Sequence, residues 1–219
     1  MPGTRTLAVG EPVEILAGNP RHQMTAEGKK EDPRTMVDKQ VREKLLQTAY
    51  DKGYEYENVY RGCGQVVVAA LQETFDMLNP DVFKALTGWA GGGSTVGDSG
   101  CGAYVAGVMF LSGLKGREYD NFADPERVRF ESFAIARKLH EKYIKEWGCV
   151  NCHDIHRVIY GRPFYLPDPD EMRKFDEAGG HTTMCTMVCG KGARFAAEIA
   201  IDEGLIPDEK LIAAAAKLP

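Results

Sequence analysis

The chain has 219 residues, six cysteines and a formal net charge of −5 at pH 7. This length is sufficient for one domain with a buried core that needs no disulfide bonds. The acidic balance, without any Lys/Arg run, argues against a nucleic-acid-binding surface, so we expect no nucleic acid as a partner. No stretch approaches the roughly 18 consecutive apolar residues of a membrane-spanning helix, so we also expect no membrane span.

Residues 1–34 contain four prolines and four glycines, which exclude a long helix. We predict an extended arm over 1–34, able to wrap a partner subunit, and a helical redox domain over 35–219 that ends in a helical tail. The one histidine of the arm, His22, is interpreted as a solvated residue, with a metal ligand at a partner subunit as the alternative.

Apolar residues recur at helical spacing along the rest of the chain, and turn or capping residues separate these segments. No run of alternating strand residues interrupts them. The pattern predicts an all-α fold, a single helical domain with glycine-rich cofactor loops. The predicted helices lie near residues 35–53, 62–78, 82–86, 103–114, 124–147 and 192–203, with short helices after His153 and Asp168 and a tail from Asp208.

Residues 88–102 form a glycine-rich loop that ends in Gly100-Cys101-Gly102. Glycines permit positive φ angles and let backbone amides approach a bound group, so the composition indicates a cofactor loop. No Gly-Lys-Ser/Thr follows, and no strand precedes, which excludes the common nucleotide-binding loops. The alternative is a tight turn between two buried helices.

The most specific motif is Cys149-Val150-Asn151-Cys152-His153. Its spacing is typical of c-type haem attachment, in which both sulfurs bind the porphyrin and the histidine binds the iron. A disulfide switch, a cluster or zinc ligand pair, and two buried thiols are the alternatives. His156 shares a helical face with His153 and is interpreted as a hydrogen-bonding partner or as a ligand of a neighbouring haem.

Four cysteines lie outside this motif: Cys63, Cys101, Cys185 and Cys189. Four thiolates are the ligand set of a [2Fe–2S] or [4Fe–4S] cluster, although structural zinc or three disulfides would also use the six cysteines. The first two are 38 residues apart, unlike the tight knuckles of zinc sites. His181, beside two glycines, is the best remaining candidate for an outer metal ligand or hydrogen-bond donor.

Several of these segments occur together in one known family. They are Arg61-Gly62-Cys63-Gly64, the glycine loop ending in Gly100-Cys101-Gly102-Ala103 with Gly107, Val150-Asn151-Cys152-His153-Asp154-Ile155, and Cys189 ahead of Gly192-Ala193-Arg194-Phe195. Over roughly residues 40–204 the chain resembles the redox proteins named for their C-GCAxxG-C-C pattern. Gly102 stands where the family name has alanine.

With its Cys-x-x-Cys-His motif, the chain looks most like the split-Soret cytochromes of that group. The resemblance implies a helical homodimer with bis-histidine c-type haem and an iron–sulfur centre. Those cytochromes carry two haems per subunit, whereas this sequence has one attachment motif. In the wider family the third cysteine stands without haem, and Cys152 would then join Cys63, Cys101 and Cys189 in the cluster.

We therefore expect an electron-transfer protein with haem c and an iron–sulfur cluster, working as a homodimer with redox partner proteins. It is more an electron carrier than a catalyst, because no Ser/His/Asp or paired-carboxylate constellation is evident. A cluster-only protein, a metal-free thiol–disulfide protein and a zinc-stabilised interaction module are the alternatives. The N-terminus lacks a secretory signal, so we expect a periplasmic location, with the leader removed, if haem is attached and a cytoplasmic one otherwise.

Overall fold

The computed structural model describes residues 39–218 and confirms the all-α prediction for this part of the chain. Nine α-helices, a 3₁₀ turn and a π-helical turn occur here, without a β-strand. The predicted arm at 1–34 and His22 lie outside the described residues. The helices are α1 (Lys39–Val59), α2 (Cys63–Thr74), α3 (Pro80–Ala85), α4 (Gly102–Leu114), α5 (Val128–Trp147), α6 (Cys152–Tyr160), α7 (Pro169–Glu177), α8 (Cys185–Asp202) and α9 (Asp208–Ala216).

Helix α8 lies at the centre of this domain and packs against α1, α2, α4 and α5. Small residues make the closest of these contacts. A Cβ atom added to Gly53 of α1 would lie 2.9 Å from the Cys189 carbonyl oxygen, and one added to Gly190 of α8 would lie 2.9 Å from the Tyr50 ring. Such separations are too short for any side chain, so glycine at both positions lets the two backbones approach each other.

Several predicted helix bounds are wrong, among them the end of α2, which comes at Thr74 rather than near residue 78. Helix α1 continues past Gly53 to Val59, because Gly53 serves as a packing surface rather than a stop. Helix α5 begins at Val128 rather than at residue 124, although the Asp124 carboxylate still accepts hydrogen bonds from the first backbone amides of the helix. Helix α8 begins at Cys185 rather than at residue 192, directly after the π-helical turn Gly180–Met184.

The glycine-rich loop joins the start of α4 to the start of α6. The backbone amide of Cys101 donates to the Val150 carbonyl oxygen at 2.8 Å, and that of Cys152 donates to the Ser99 carbonyl oxygen at 3.0 Å. The amide of His153 donates to the Gly97 carbonyl oxygen at 3.1 Å. These bonds hold two cysteines that are distant in sequence close together.

Candidate functional site: a cysteine-lined cavity

Five of the six cysteines line one cavity of about 210 Å³. They come from three helices, α2, α6 and α8, and from the residue that precedes α4, so tertiary packing brings them together. Cys149 is not among the cavity-lining residues. The five are Cys63, Cys101, Cys152, Cys185 and Cys189.

Four of these cysteines stand at helix N-termini. Cys63, Cys152 and Cys185 are the first residues of α2, α6 and α8, and Cys101 is the N-cap of α4. The amides at a helix start have no partner within the helix and carry the positive end of its dipole. The starts of α2, α4 and α6 are ends of this kind, whereas α8 continues the π-helical turn, in which the Cys185 amide donates to the Gly180 carbonyl oxygen. The three positive ends at the cavity favour a negatively charged occupant.

Burial raises the pKa of every one of these five thiols above its usual value. The pKa of Cys101 rises to about 11, although backbone amides of α4 oppose the shift. Burial, the largest cause, raises the pKa of the other four further, and neighbouring sulfurs contribute. At neutral pH the empty cavity would therefore hold protonated thiols, which become thiolates when a metal binds them.

His156, on α6, lies between two of the sulfurs. Its Nε2 is 3.7 Å from Cys152 Sγ and 3.8 Å from Cys185 Sγ, and the side chain is almost fully buried. Burial lowers its pKa to about 4, so the ring is uncharged at neutral pH. Its Nδ1 is buried without a hydrogen-bond partner. The Tyr160 hydroxyl adds a further contact, donating to Cys185 Sγ at 3.5 Å.

His181, in the π-helical turn, also lines the cavity. Its Nδ1 lies 2.5 Å from a carboxylate oxygen of Asp176, and its ring packs edge-on against Phe175. Burial lowers the pKa of His181, with Asp176 acting against the shift. A carboxylate partner on one ring nitrogen is a common way to orient a histidine whose other nitrogen binds a metal.

Glu57 is the carboxylate of the cavity wall, and the sequence analysis missed it. It is only 3 % exposed, its Oε2 has no hydrogen-bond partner, and burial raises its pKa to about 8. The available signal was the buried stripe of α1, in which Ala49, Gly53 and Glu57 follow at intervals of four. Because the predicted helix ended at Gly53, Glu57 was not recognised as part of this buried stripe.

The predicted haem ligands have separate surroundings. The Cys149 thiol donates to the Trp147 carbonyl oxygen at 3.4 Å, outside the cavity, whereas Cys152 lines it. The His153 Nε2 lies 3.3 Å from the Phe164 carbonyl oxygen, and its ring packs against Gly97 of the glycine loop. The structure thus brings together the four cysteines outside the motif, Cys152, His156 and His181, but not Cys149 or His153.

The sulfurs surround a space rather than a point. Among residues 39–218, no group of three or more His, Cys, Asp or Glu side chains is placed to hold one metal ion. A single zinc ion needs four donors about 2.0–2.3 Å from one centre. The four ligands of an iron–sulfur cluster instead bind different sides of a group of several iron and sulfide atoms, so they line a cavity. The donor set and the unpartnered buried atoms of Glu57 and His156 fit such a group.

The comparisons with known proteins agree with a redox site. Within the described residues, no helix is both long and apolar enough to cross a membrane. Neither a curated protein nor a solved structure matches the chain. A family model described as "Putative redox-active protein (C_GCAxxG_C_C)" matches residues 62–199, a span that contains all six cysteines and more than half of the chain. The chain therefore belongs to the C_GCAxxG_C_C family of redox-active proteins.

Proposed function

We propose that this protein transfers electrons through an iron–sulfur cluster held in the cysteine-lined cavity. The observation that carries the proposal is the convergence of five cysteines, spread from residue 63 to residue 189, on one buried space. The ligands we propose are Cys63, Cys101, Cys152 and Cys189, the four that match the pattern in the family name. Such a cluster supplies one-electron redox chemistry without a general base.

The charge of the surroundings supports a cluster rather than free thiols. Four thiolates around iron and sulfide form an anionic group, and the helix starts at Cys63, Cys101 and Cys152 place partial positive charge beside it. The wall next to Cys152 and Cys185 also contains His156, whose Nε2 is close enough to hydrogen-bond to either sulfur. Hydrogen bonds to cluster sulfurs and exclusion of water are two of the factors that set a cluster's potential.

The same geometry favours the cluster-only alternative over a haem protein. Covalent haem requires Cys149, Cys152 and His153 around one porphyrin, and these three groups contact different neighbours. The cavity volume of about 210 Å³ is also below the range of about 300–1,000 Å³ that is usual for sites of drug-sized ligands. We therefore assign Cys152 to the cluster and propose no haem.

A metal-free thiol–disulfide mechanism has less support. The nucleophile in thiol–disulfide exchange is the thiolate, and it must be accessible to its partner. Cys101, Cys152 and Cys189 are buried, and burial raises their pKa values, so few thiolates would form at neutral pH. Buried thiols of this kind are typical of metal sites or inert cores.

Two serine substitutions test the proposal against the haem alternative. The protein is purified without oxygen, and its iron, acid-labile sulfide and pyridine haemochrome are measured. We expect iron and sulfide in the wild type and no haemochrome signal. Cys152→Ser should lose most of the iron, whereas Cys149→Ser should keep it, because only Cys152 faces the cavity.

Far-ultraviolet circular dichroism of both variants separates loss of the cluster from loss of the fold. A haemochrome signal that disappears in both variants would overturn the cluster-only proposal in favour of haem. A colourless wild-type protein without iron or sulfide, whose thiol count changes with reductant, would instead support the thiol–disulfide alternative.

A further inference from the structure

Glu57 requires an explanation that the four family cysteines do not supply. It lies on the last turns of α1, where its side chain is buried and lines the cavity. Cys189 Sγ is within hydrogen-bonding reach of the Glu57 carboxyl, while Oε2 has no partner among the described residues. A buried carboxyl oxygen without a partner is costly, and such atoms usually contact an ion or a ligand.

The neighbouring cysteines make an ionised Glu57 side chain unfavourable when no metal is bound. Cys63, Cys185 and Cys189 are close enough to Glu57 for their charges to interact with it. If these sulfurs are thiolates, most near neighbours of Glu57 are negative, and the C-terminal half of α1 adds the negative end of a helix dipole. Arg61, a largely exposed side chain of the cavity wall, acts on Glu57 in the opposite direction. A cation between the sulfurs and the carboxylate turns the remaining repulsion into attraction.

From this arrangement we infer that Glu57 is itself a ligand of the metal group, donating its Oε2 to one iron. The inference rests on the proposed cluster and extends it, because one iron then binds the Glu57 oxygen in addition to its thiolate. An added oxygen donor makes that iron electronically distinct from the others, as a change of ligand to histidine does in other clusters.

The first test is a Mössbauer spectrum of the wild-type protein loaded with isotopically enriched iron. We expect one component distinct from the thiolate-ligated irons. A spectrum in which every iron has sulfur-only ligation overturns the inference, whatever any variant does.

The second test compares Glu57→Gln with Glu55→Gln by competition with an iron chelator. Glu55 is an exposed acid on the same helix and serves as the matched control. Glu57→Gln keeps the shape of the side chain but removes the anionic oxygen, so we expect about a tenfold or greater loss of iron affinity and disappearance of the distinct Mössbauer component. Glu55→Gln should match the wild type in both measurements.

Glu57→Asp controls for a folding defect at this position, because it changes the side chain but keeps the carboxylate. We expect it to retain the distinct component with a weakened affinity. If Glu57→Gln and the wild type have equal iron affinity and equal spectra, this inference is overturned and the cluster proposal is unaffected. If the wild-type protein contains no iron or sulfide, the cluster proposal itself is overturned, and this inference with it.

Discussion

Gly102 is one residue at which this chain departs from the pattern in the family name, and the structure gives that departure a physical meaning. A Cβ atom at this position would lie 2.5 Å from Cys63 Sγ and 2.6 Å from the Trp89 carbonyl oxygen. Here alanine in place of glycine is therefore a large change, because the added methyl group would occupy the space of a proposed cluster ligand.

We predict that Gly102→Ala displaces Cys63, lowers the iron content and destabilises the protein by about 1–3 kcal/mol, the usual cost of overpacking. Gly113→Ala on the same helix is the control, since a Cβ there meets nothing within 4 Å. It should be neutral or stabilising by up to about 1 kcal/mol. Urea denaturation and iron analysis of both variants check this, and equal stabilities would contradict the packing argument.

At the scale of elements, the glycine-rich loop packs against the start of α6 and holds it in position. Gly97 has φ +89°, and a Cβ atom there would overlap the His153 imidazole. Gly92 also has a positive φ, and a Cβ atom there would overlap the Cys152 side chain. The composition predicted a cofactor loop. Ala90, Gly91 and Thr95 of this loop line the cavity, and Gly92 and Gly97 contact the two motif residues.

We predict that Gly97→Ala is more harmful than an ordinary glycine substitution at positive φ. Gly148, the C-cap of α5, has φ +72° but open space around it, so Gly148→Ala measures backbone strain alone, about 1–2 kcal/mol. Gly97→Ala adds the overlap with His153 and should cost clearly more, with reduced iron content. Thermal unfolding of the two variants decides the matter; similar losses would show that the His153 contact is unimportant.

Helix periodicity predicted the fold class and most of the helices, but not where each one stops. Glycine ends α5 at Gly148, as expected, yet Gly53 lies inside α1 because α8 packs against it. The difference is a tertiary contact that local sequence does not encode. This error concealed Glu57, since the acid lies beyond the predicted end of the helix.

At the scale of the whole molecule, the cavity should make stability depend on pH when metal is absent. The raised pKa of Glu57, about 8 against an ordinary 4.5, means that the folded state keeps a proton that the unfolded chain releases. Stability therefore falls with rising pH between these values. The lowered pKa of His156, about 4 against 6.5, has the opposite effect and raises stability between pH 4 and 6.5.

We predict that the two effects roughly cancel from pH 4.5 to 6.5 and leave a decline from pH 6.5 to 8. The slope should be about 1.4 kcal/mol per pH unit. The thiols that face Glu57 stay protonated in this window, because burial raises their pKa values. Urea denaturation of protein purified with a chelator measures the profile. Glu57→Gln should abolish the decline, and parallel profiles would contradict it.

The cysteines marked the site in the sequence, but their grouping required the fold. Local spacing paired Cys149 with Cys152, whereas the packing of α6 buries one and leaves the other half-exposed outside the cavity. Cys185 and Cys189 stand four residues apart, and the start of α8 at Cys185 puts both on one helix and in the cavity wall. A short motif identifies residues that are close in sequence, whereas the cavity is lined by residues that are close only in the folded structure. The grouping of the cysteines could therefore not be predicted from their spacing.

The distribution of the cavity wall along the chain has a consequence for biosynthesis. Cys185 and Cys189 are made after every other cysteine of the wall and long after the first wall helix, α1. Iron delivered before α8 emerges would meet an open and incomplete set of sulfurs. Loading is therefore expected to wait until α8 has emerged, and a ribosome-bound chain halted ahead of α8 should carry no metal.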